Sequence, residues 1–368
     1  GMLVNYVDPL VVSEYFQLAR FGQIIAYAGE ERPLQYTQTN TPDEAGYTAY
    51  LEELATQLVI IDDTNNFQNA DTVFHPASDG FAVDNVIRGG DVAYDVTGVL
   101  HWSWAGSGGT DAWRLRPTEA NPIEFTEITP RTVAPEDVGG SLKVATFNVL
   151  NYFTTLDEGS NQTATGQNPR GAHSEAELQR QTDKIVSALA AMDSDVIGLI
   201  EIENDDDTTL AYLVAALNAE VGAGVYDYVP TGLIGDDAIK VAFIYDTTAV
   251  KIADGTSIEV LDDPSFVDPL NSGRDLNRPA LAVTFEDLNT GGIFPAVNNH
   301  FKSKGSPTGV IGDDRPETGE GSAAGTREAA ADALADWMAT DPTGSGDGDV
   351  MILGDLNSYA SEGPITEL

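Results

Sequence analysis

The sequence predicts an α+β protein of two domains, a small all-β unit followed by a larger unit that mixes strands with helices. Three features carry this expectation. Short strand-like runs fill the stretch from Leu3 to Phe125, a Pro- and Thr-rich segment follows it, and beyond that segment strands outnumber helices and some are consecutive. A chain of 368 residues is long for one domain and comfortable for two, with enough material for a sizeable core.

In the first stretch "EYFQLARFGQIIAYAG", "TQLVIIDDTNN", "DVAYDVTGVLHWSWAG" and "AWRLRPT" read as strands broken by turn residues, and "TPDEAGYTAYLEELATQ" is the one convincing helix. "NPIEFTEITPRTVAPEDVGG" reads as an extended linker ending in a glycine pair, which sets the boundary near Asp137 and the domains at 1–136 and 137–368. After it "LKVATFNVL" is a strand. "SEAELQRQTDKIVSALAAM" is a helix with Leu178, Ile185, Leu189 and Met192 on one stripe and Ser174 as N-cap before Glu177. "DVIGLIEIE" is an apolar strand until it reaches Glu201. Then come the helix "TTLAYLVAALNAEV", the strands "KVAFIYD", "PALAVTFED" and "IFPAVNNHF", the helix "GTREAAADALADWMA" and the strand "DVMILGD". The order implies hairpins rather than strict alternation, and no internal repeat is present.

Composition narrows the chemistry. Apolar residues make up 42% of the chain, with no apolar run near the roughly 20 residues of a membrane-spanning helix, so no membrane insertion is expected. There is no cysteine, which removes disulfides, thiol catalysis and thiolate metal sites, so any metal must be held by oxygen or imidazole. The formal charge of -41 repels polyanions unless salt or divalent cations screen it. It fits a solvated, salt-tolerant surface, or acidic loops that bind calcium. Gly1-Met2 reads as a tag-cleavage scar, so the lack of a leader says nothing about export.

Four strands of the second domain end on polar residues: Asn148 in "ATFNVLNY", Glu201 in "GLIEIEND", His300 in "VNNHFKSKG", and Asp355 with Asn357 in "ILGDLNSY". Singly each has a plain explanation as a turn former, a cap, a solvated strand end or a satisfied core histidine. Converging on one rim, they would supply acids for a hard cation and an imidazole for proton transfer. With only six lysines in the chain, Lys302 and Lys304 both follow His300 closely and Arg278 opens a nearby strand, a basic spot suited to phosphate. The alternative is a pair of solvated lysines.

Phe147-Asn148, Leu199-Ile200-Glu201, Arg278-Pro279, His300 and Gly354-Asp355-Leu356-Asn357 stand in the order of the motifs of the endonuclease/exonuclease/phosphatase family, which the chain from about Leu142 onward resembles. "FNVLNYF", "RGA", "RQTDKI", "GLIEIEND", "DAIKVAFIY", "NHFKSKG" and "GDLNSYASEGPI" look like the large extracellular nucleases of bacteria. "ARFGQI", "QYTQTN" and "IIDD" look like the β domain that precedes their catalytic core. The resemblance implies a four-layer αββα sandwich, incomplete at its C-terminal end, preceded by a small all-β domain with an oligonucleotide-binding-like barrel as one form. Trp102, Trp104 and Trp113 are stacking candidates on such a barrel, with core packing the favoured reading.

The resemblance further implies a metal-dependent nuclease, a phosphodiesterase acting on extracellular DNA and on RNA as a second substrate. Glu201 would be the main ligand of Mg2+, or of Mn2+ or Ca2+, with Asn148 and Asp355 close by. Asp355 would orient or deprotonate the attacking water, Asn357 would hold the phosphate, and His300 would hydrogen-bond to it or protonate the leaving oxygen. Arg278, Lys302 and Lys304 would bind substrate phosphate. The expected setting is secreted or on the surface of a bacterium, with no stable protein partner. Family members carry a late Asp-His pair, and nothing after Tyr359 supplies one. The other histidines are His75, His101 and His173. The chain is therefore expected to be truncated and at most weakly active. The competing readings are a phosphomonoesterase or phospholipase of the same fold, and a non-catalytic acidic surface protein that binds cations.

Overall fold

The computed structural model describes residues 1–64, 67–77, 80–81, 85–104, 111–130, 132, 134 and 136–368. The end of the run "HWSWAG", the "NN" of "IIDDTNN" and linker residues 131, 133 and 135 lie outside the described residues. One compact unit comprises Gly1–Tyr36 and Asp43–Thr132, and the other Thr37–Pro42 and Val133–Leu368.

The first unit is built from β1 (Met2–Tyr6), β2 (Leu10–Glu14), α1 (Leu18–Phe21), β3 (Gln23–Ala28), the start of α2 (Tyr36–Thr39), α3 (Glu44–Gln57), β4 (Leu58–Asp62), β5 (Val92–Ala93), β6 (Val96–Ser103) and β7 (Ala112–Arg116). The run "EYFQLARFGQIIAYAG" therefore holds a one-turn helix, ended by Gly22 at φ 71. The α3 helix starts where Asp43 accepts a 2.7 Å bond from the Gly46 amide. The strand order is β1-β6-β7-β4-β3-β2-β5, with β4 and β7 parallel. β5 runs almost directly into β6, so this one segment pairs with β2 at its start and with β7 further on, returning the path on itself as a barrel requires. Leu10, Val12, Ile24, Ala26, Val59, Ile61 and Leu115 fill its interior.

The tryptophans do not pack into that core. Trp102, Trp104 and Trp113 are 51%, 49% and 58% exposed. The first and last face each other across the β6–β7 pair, ring centroids 5.3 Å apart, beyond the point where Leu115 ends the core. Alternation along the two strands cannot tell a core position from one past the core's end, which is why the packing expectation fails.

The second unit continues with β8 (Val144–Tyr152), α4 (Glu175–Met192), β9 (Val196–Glu203), α5 (Thr208–Val221), β10 (Tyr226–Tyr228), β11 (Ile239–Asp246), β12 (Val250–Ile252), β13 (Glu259–Leu261), α6 (Pro264–Val267), β14 (Arg278–Asp287), β15 (Ile293–His300), α7 (Ala324–Met338), β16 (Met351–Asp355) and α8 (Gly363–Glu367). They form a sheet β10-β11-β9-β8 and a sheet β12-β14-β15-β16 in which β13 also pairs with β14. Each sheet carries one parallel pair at its β8–β9 or β15–β16 end.

Three apolar layers give the αββα order. Leu178, Ile185 and Leu189 of α4 and Leu213 and Leu217 of α5 cover the outer face of the first sheet over Ile197, Leu199 and Ala242. Phe266 of α6 and Ala330 and Leu334 of α7 cover the second over Ala280, Ala282 and Val297. Val241 and Phe243 meet Leu281, Val283, Phe285 and Ala296 between the sheets. Ser174 caps α4, its hydroxyl 3.3 Å from the Glu177 amide, as the sequence predicts.

A buried polar residue ties the sheets together within this apolar layer. Asn298 of β15 is fully buried, and its Nδ2 donates to the Leu199 carbonyl of β9 at 3.0 Å and the Ala242 carbonyl of β11 at 2.9 Å. Gly198 makes room for it, since a Cβ there would lie 3.0 Å from the amide. Each bond is worth roughly 1 kcal/mol. With the small cavity added, Asn298→Ala should cost about 2–3 kcal/mol in urea denaturation. A loss within error would mean that apolar packing alone holds the sheets.

Candidate functional site

The strand-end residues do converge. Asn148 leaves β8 with its Nδ2 3.1 Å from Glu201 Oε1 and 3.3 Å from Asp355 Oδ2, so one amide joins the two sheets' carboxylates. Its Oδ1 accepts from the Leu150 amide at 2.9 Å, which fixes the orientation. His300 lies with Nε2 4.0 Å from Glu201 Oε1, and Asp355 Oδ1 accepts from the Asn357 amide at 3.0 Å.

Local backbone irregularity aims these groups. Glu201 has φ 65, a left-handed value unusual for a strand residue, and sits where the β9–β11 register slips between Lys240 and Val241. Opposite it β8 bulges between Asn148 and Tyr152, with Leu150 and Asn151 also left-handed. The Asn151 amide then donates to Glu201 Oε2 at 3.0 Å, and Gln181 of α4 donates to the Leu150 carbonyl at 3.0 Å and holds the bulge. On the other side Gly354 is obligatory: a Cβ there would stand 2.0 Å from the Asn299 carbonyl oxygen, so only glycine lets β16 lie close enough to β15 to present Asp355.

The imidazole of His300 is 3% exposed, and its Nδ1 has no hydrogen-bond partner. Burial, reinforced by the charge of Arg278, pushes its pKa down to about 3. At neutral pH the ring is uncharged, which suits hydrogen bonding to a phosphate better than proton donation. An open cleft of about 680 Å3 runs beside the cluster, lined by Asn148, Asp355, Asn357, Lys304, Tyr359 and Ile200 among others.

The predicted basic residues are present but not free. Arg278 donates through Nε to Asp237 Oδ2 at 2.9 Å, and Asp237 also takes Arg170 at 2.8 Å. Burial alone would raise Asp237, but the two guanidiniums outweigh it and hold its carboxyl below the usual range. Lys304 is bound to the wholly buried Glu362 and lies 4.5 Å from the Tyr359 ring centroid. Lys302 turns to the Ser303 carbonyl at 3.2 Å. Asn357 spends one amide hydrogen on the Phe301 carbonyl at 3.0 Å and keeps the other. His173 is exposed and bonded to the Asp157 carbonyl at 2.6 Å.

Sequence reasoning missed Arg170, Asp237, Arg327 and Glu362. Arg327 is buried and ties three segments of the rim through Ser358 Oγ and the carbonyls of Lys302, Glu320 and Ser322. Arg170, Asp237 and Glu362 lie in the family-like segments "RGA", "DAIKVAFIY" and "GDLNSYASEGPI", but nothing local shows which cation pairs with which acid, and Arg327 lies on a helix that no motif marks.

Among the described residues no group of three or more Asp, Glu and His side chains surrounds a common point. The two carboxylates that do meet, each within 3.3 Å of the Asn148 amide nitrogen, suit a small hard cation, which commonly takes one or two protein carboxylates and completes its shell with water and phosphate oxygen.

A two-sheet sandwich here joins acids, an amide and an imidazole beside a cleft, an arrangement suited to a hydrolase. The family model of the Endonuclease/Exonuclease/phosphatase family matches residues 145–368, and the chain belongs to that family of hydrolases, whose members generally depend on a divalent metal. No curated protein matches the chain. Among solved structures, the Bacteroides thetaiotaomicron VPI-5482 mannosyl-6-phosphatase Bt3783 is 20% identical with a TM-score of 0.40, over 62% of this chain and 69% of that one. The human Nocturnin catalytic domain is 15% identical with a TM-score of 0.37, over 61% and 68%. A humanised D. rerio TDP2 is 14% identical with a TM-score of 0.36, over 61% and 66%. Likenesses this loose bear on neither substrate nor mechanism.

Two outcomes test the electrostatics. His300 is neutral when folded down to about pH 3 but would charge near 6.5 when unfolded, so the unfolded chain binds the extra proton between those values. In EDTA, stability should therefore fall as pH drops through that window, and His300→Gln should flatten part of the fall. An identical pH profile would contradict the neutral ring. Lys304→Met should leave the buried Glu362 with only Arg327, at 3.9 Å, as its cation and cost about 3 kcal/mol. Glu362→Leu in the same chain should recover much of it, and additive losses would show that the pair is uncoupled.

Proposed function

We propose that this protein is a divalent-metal-dependent phosphodiesterase acting on nucleic acid, with extracellular DNA as the main substrate and Mg2+ as the ion. The observation that carries the reading is the single amide, Asn148, that draws Glu201 and Asp355 together beside His300. The ordered motifs shared with large bacterial nucleases support the substrate class and a secreted setting.

In this reading Glu201 and Asp355 hold the cation, and Asn148 keeps the two carboxylates in place by donating to both through Nδ2. The bound ion would neutralise phosphate oxygens and stabilise the charge that builds up during in-line attack. Asp355 orients the water through its outer oxygen while the Asn357 amide restrains the inner one. His300, uncharged, donates a hydrogen bond to a phosphate oxygen rather than a proton to the leaving group. The remaining Nδ2 hydrogen of Asn357 donates to the same phosphate without adding charge. Lys304 acts from the cleft wall, its ammonium anchored by Glu362, so it contributes field rather than a mobile contact.

The test is conversion of supercoiled plasmid with and without EDTA, alongside a phosphomonoester and a phospholipid. Turnover of plasmid that stops with EDTA supports the proposal. Preference for either other substrate moves the activity within the family, and turnover indifferent to EDTA removes the metal. Glu201→Gln should abolish Mg2+ binding by titration calorimetry while the melting temperature changes little, and an unchanged affinity would dismiss Glu201 as the ligand.

A further inference from the structure

We propose that Arg170 and Arg278, set side by side by Asp237, form a second phosphate-binding position next to His300, which takes the phosphate flanking the scissile one on an extended phosphodiester chain. This rests on the phosphodiesterase reading and adds to it a substrate with at least two phosphates.

Each oxygen of Asp237 takes one arginine, Oδ1 Arg170 at 2.8 Å and Oδ2 Arg278 at 2.9 Å, so the carboxylate fixes two guanidiniums side by side. Each arginine gives it one of five N–H donors. The rest point elsewhere, and bidentate donation to phosphate is what a positioned guanidinium does best. Arg278 stands opposite His300 in the β14–β15 register, which places the pair beside the reacting group. The loop carrying Arg170 is tied down a second time, Gln167 Nε2 donating to the Asp236 carbonyl at 2.6 Å.

Charge completes the case. Lys302 follows His300 and, among the described residues, has no carboxylate partner. Arg170, Arg278 and Lys302 thus face one acid, Asp237, and leave two positive charges uncompensated in a chain with 59 acidic residues and 18 basic ones. The strain shows in Lys302, which burial and then the charge of Arg278 hold below its usual pKa. An anion there would offset the repulsion between these cations. Arg170 is 41% exposed at its side chain and Arg278 14%, so the outer arginine is the one a flanking phosphate meets first.

The experiment uses the whole chain with Arg170→Ala and Arg170→Lys. One arm measures binding of a short single-stranded DNA in Ca2+ at several salt concentrations. The other measures Mg2+-dependent turnover of that DNA and of bis(4-nitrophenyl) phosphate, which has a single phosphate. Arg170→Ala should lower the salt slope by about 0.7, one phosphate contact on a single strand. It should raise KM for the DNA roughly tenfold more than KM for the small diester, the scale of one charged contact. Arg170→Lys, which keeps the charge and the Asp237 partner, should fall between. An unchanged slope, or equal losses on both substrates, overturns the second position. Wild-type turnover of the small diester with no Arg170 effect on DNA would refute this position and keep the phosphodiesterase. A normal slope change with no turnover of either substrate would do the reverse.

Discussion

The second unit depends on a buried amide between its two sheets. Asn298 spends both hydrogens of its Nδ2 on carbonyls of the opposite sheet, at 3.0 and 2.9 Å, in a layer otherwise apolar. Apolar side chains tolerate sliding, because dispersion contacts have no direction, whereas two hydrogen bonds from one amide admit a single offset. Glu201 lies two residues beyond the carbonyl that Asn298 holds, and His300 two residues beyond Asn298 itself. The sheet offset thus sets the spacing of the rim. Asn148 repeats the device at the surface, where the groups it joins are carboxylates instead of carbonyls.

Around that rim the protein reverses its own character. A surface dominated by acids gathers Arg170, Arg278, Lys302 and Lys304 about one end of the sandwich, with Asp237 and Glu362 as the acids that pair with three of them and Arg327 buried behind. Pairing a cation with a buried acid lowers its freedom more than its field, so an anion meets rigid positive charge rather than waving side chains. The acidity elsewhere makes this end the least repulsive approach for the polyanion that the proposed function requires.

How much of this was legible in the sequence follows from where each signal is stored. Strands and helices of the second unit show as apolar runs and 3.6-residue stripes, and Asn148, Glu201, His300, Asp355 and Asn357 announce themselves by breaking those runs. The partners of the cations do not. Asp237 lies in "DAIKVAFIY" and Glu362 in "GDLNSYASEGPI", segments whose resemblance names no partner, and only the folded chain brings them to Arg278 and Lys304. Lysines near a phosphate site read as ligands from sequence, while the structure commits Lys304 to a buried carboxylate. The tryptophans fail for the opposite reason: their type speaks for burial, and their position at the end of a strand pair decides otherwise.

The left-handed backbone at Glu201 has an evolutionary edge. A non-glycine residue held there costs on the order of 1–3 kcal/mol, and glycine or asparagine would relieve part of it. A procedure that optimised this sequence for thermal resistance alone would be drawn to that position and would replace the one carboxylate the bulge exists to aim. If Glu201 holds the cation as proposed, robustness and chemistry compete there for a single codon, so a thermostable homologue that retains glutamate must have found its stability elsewhere.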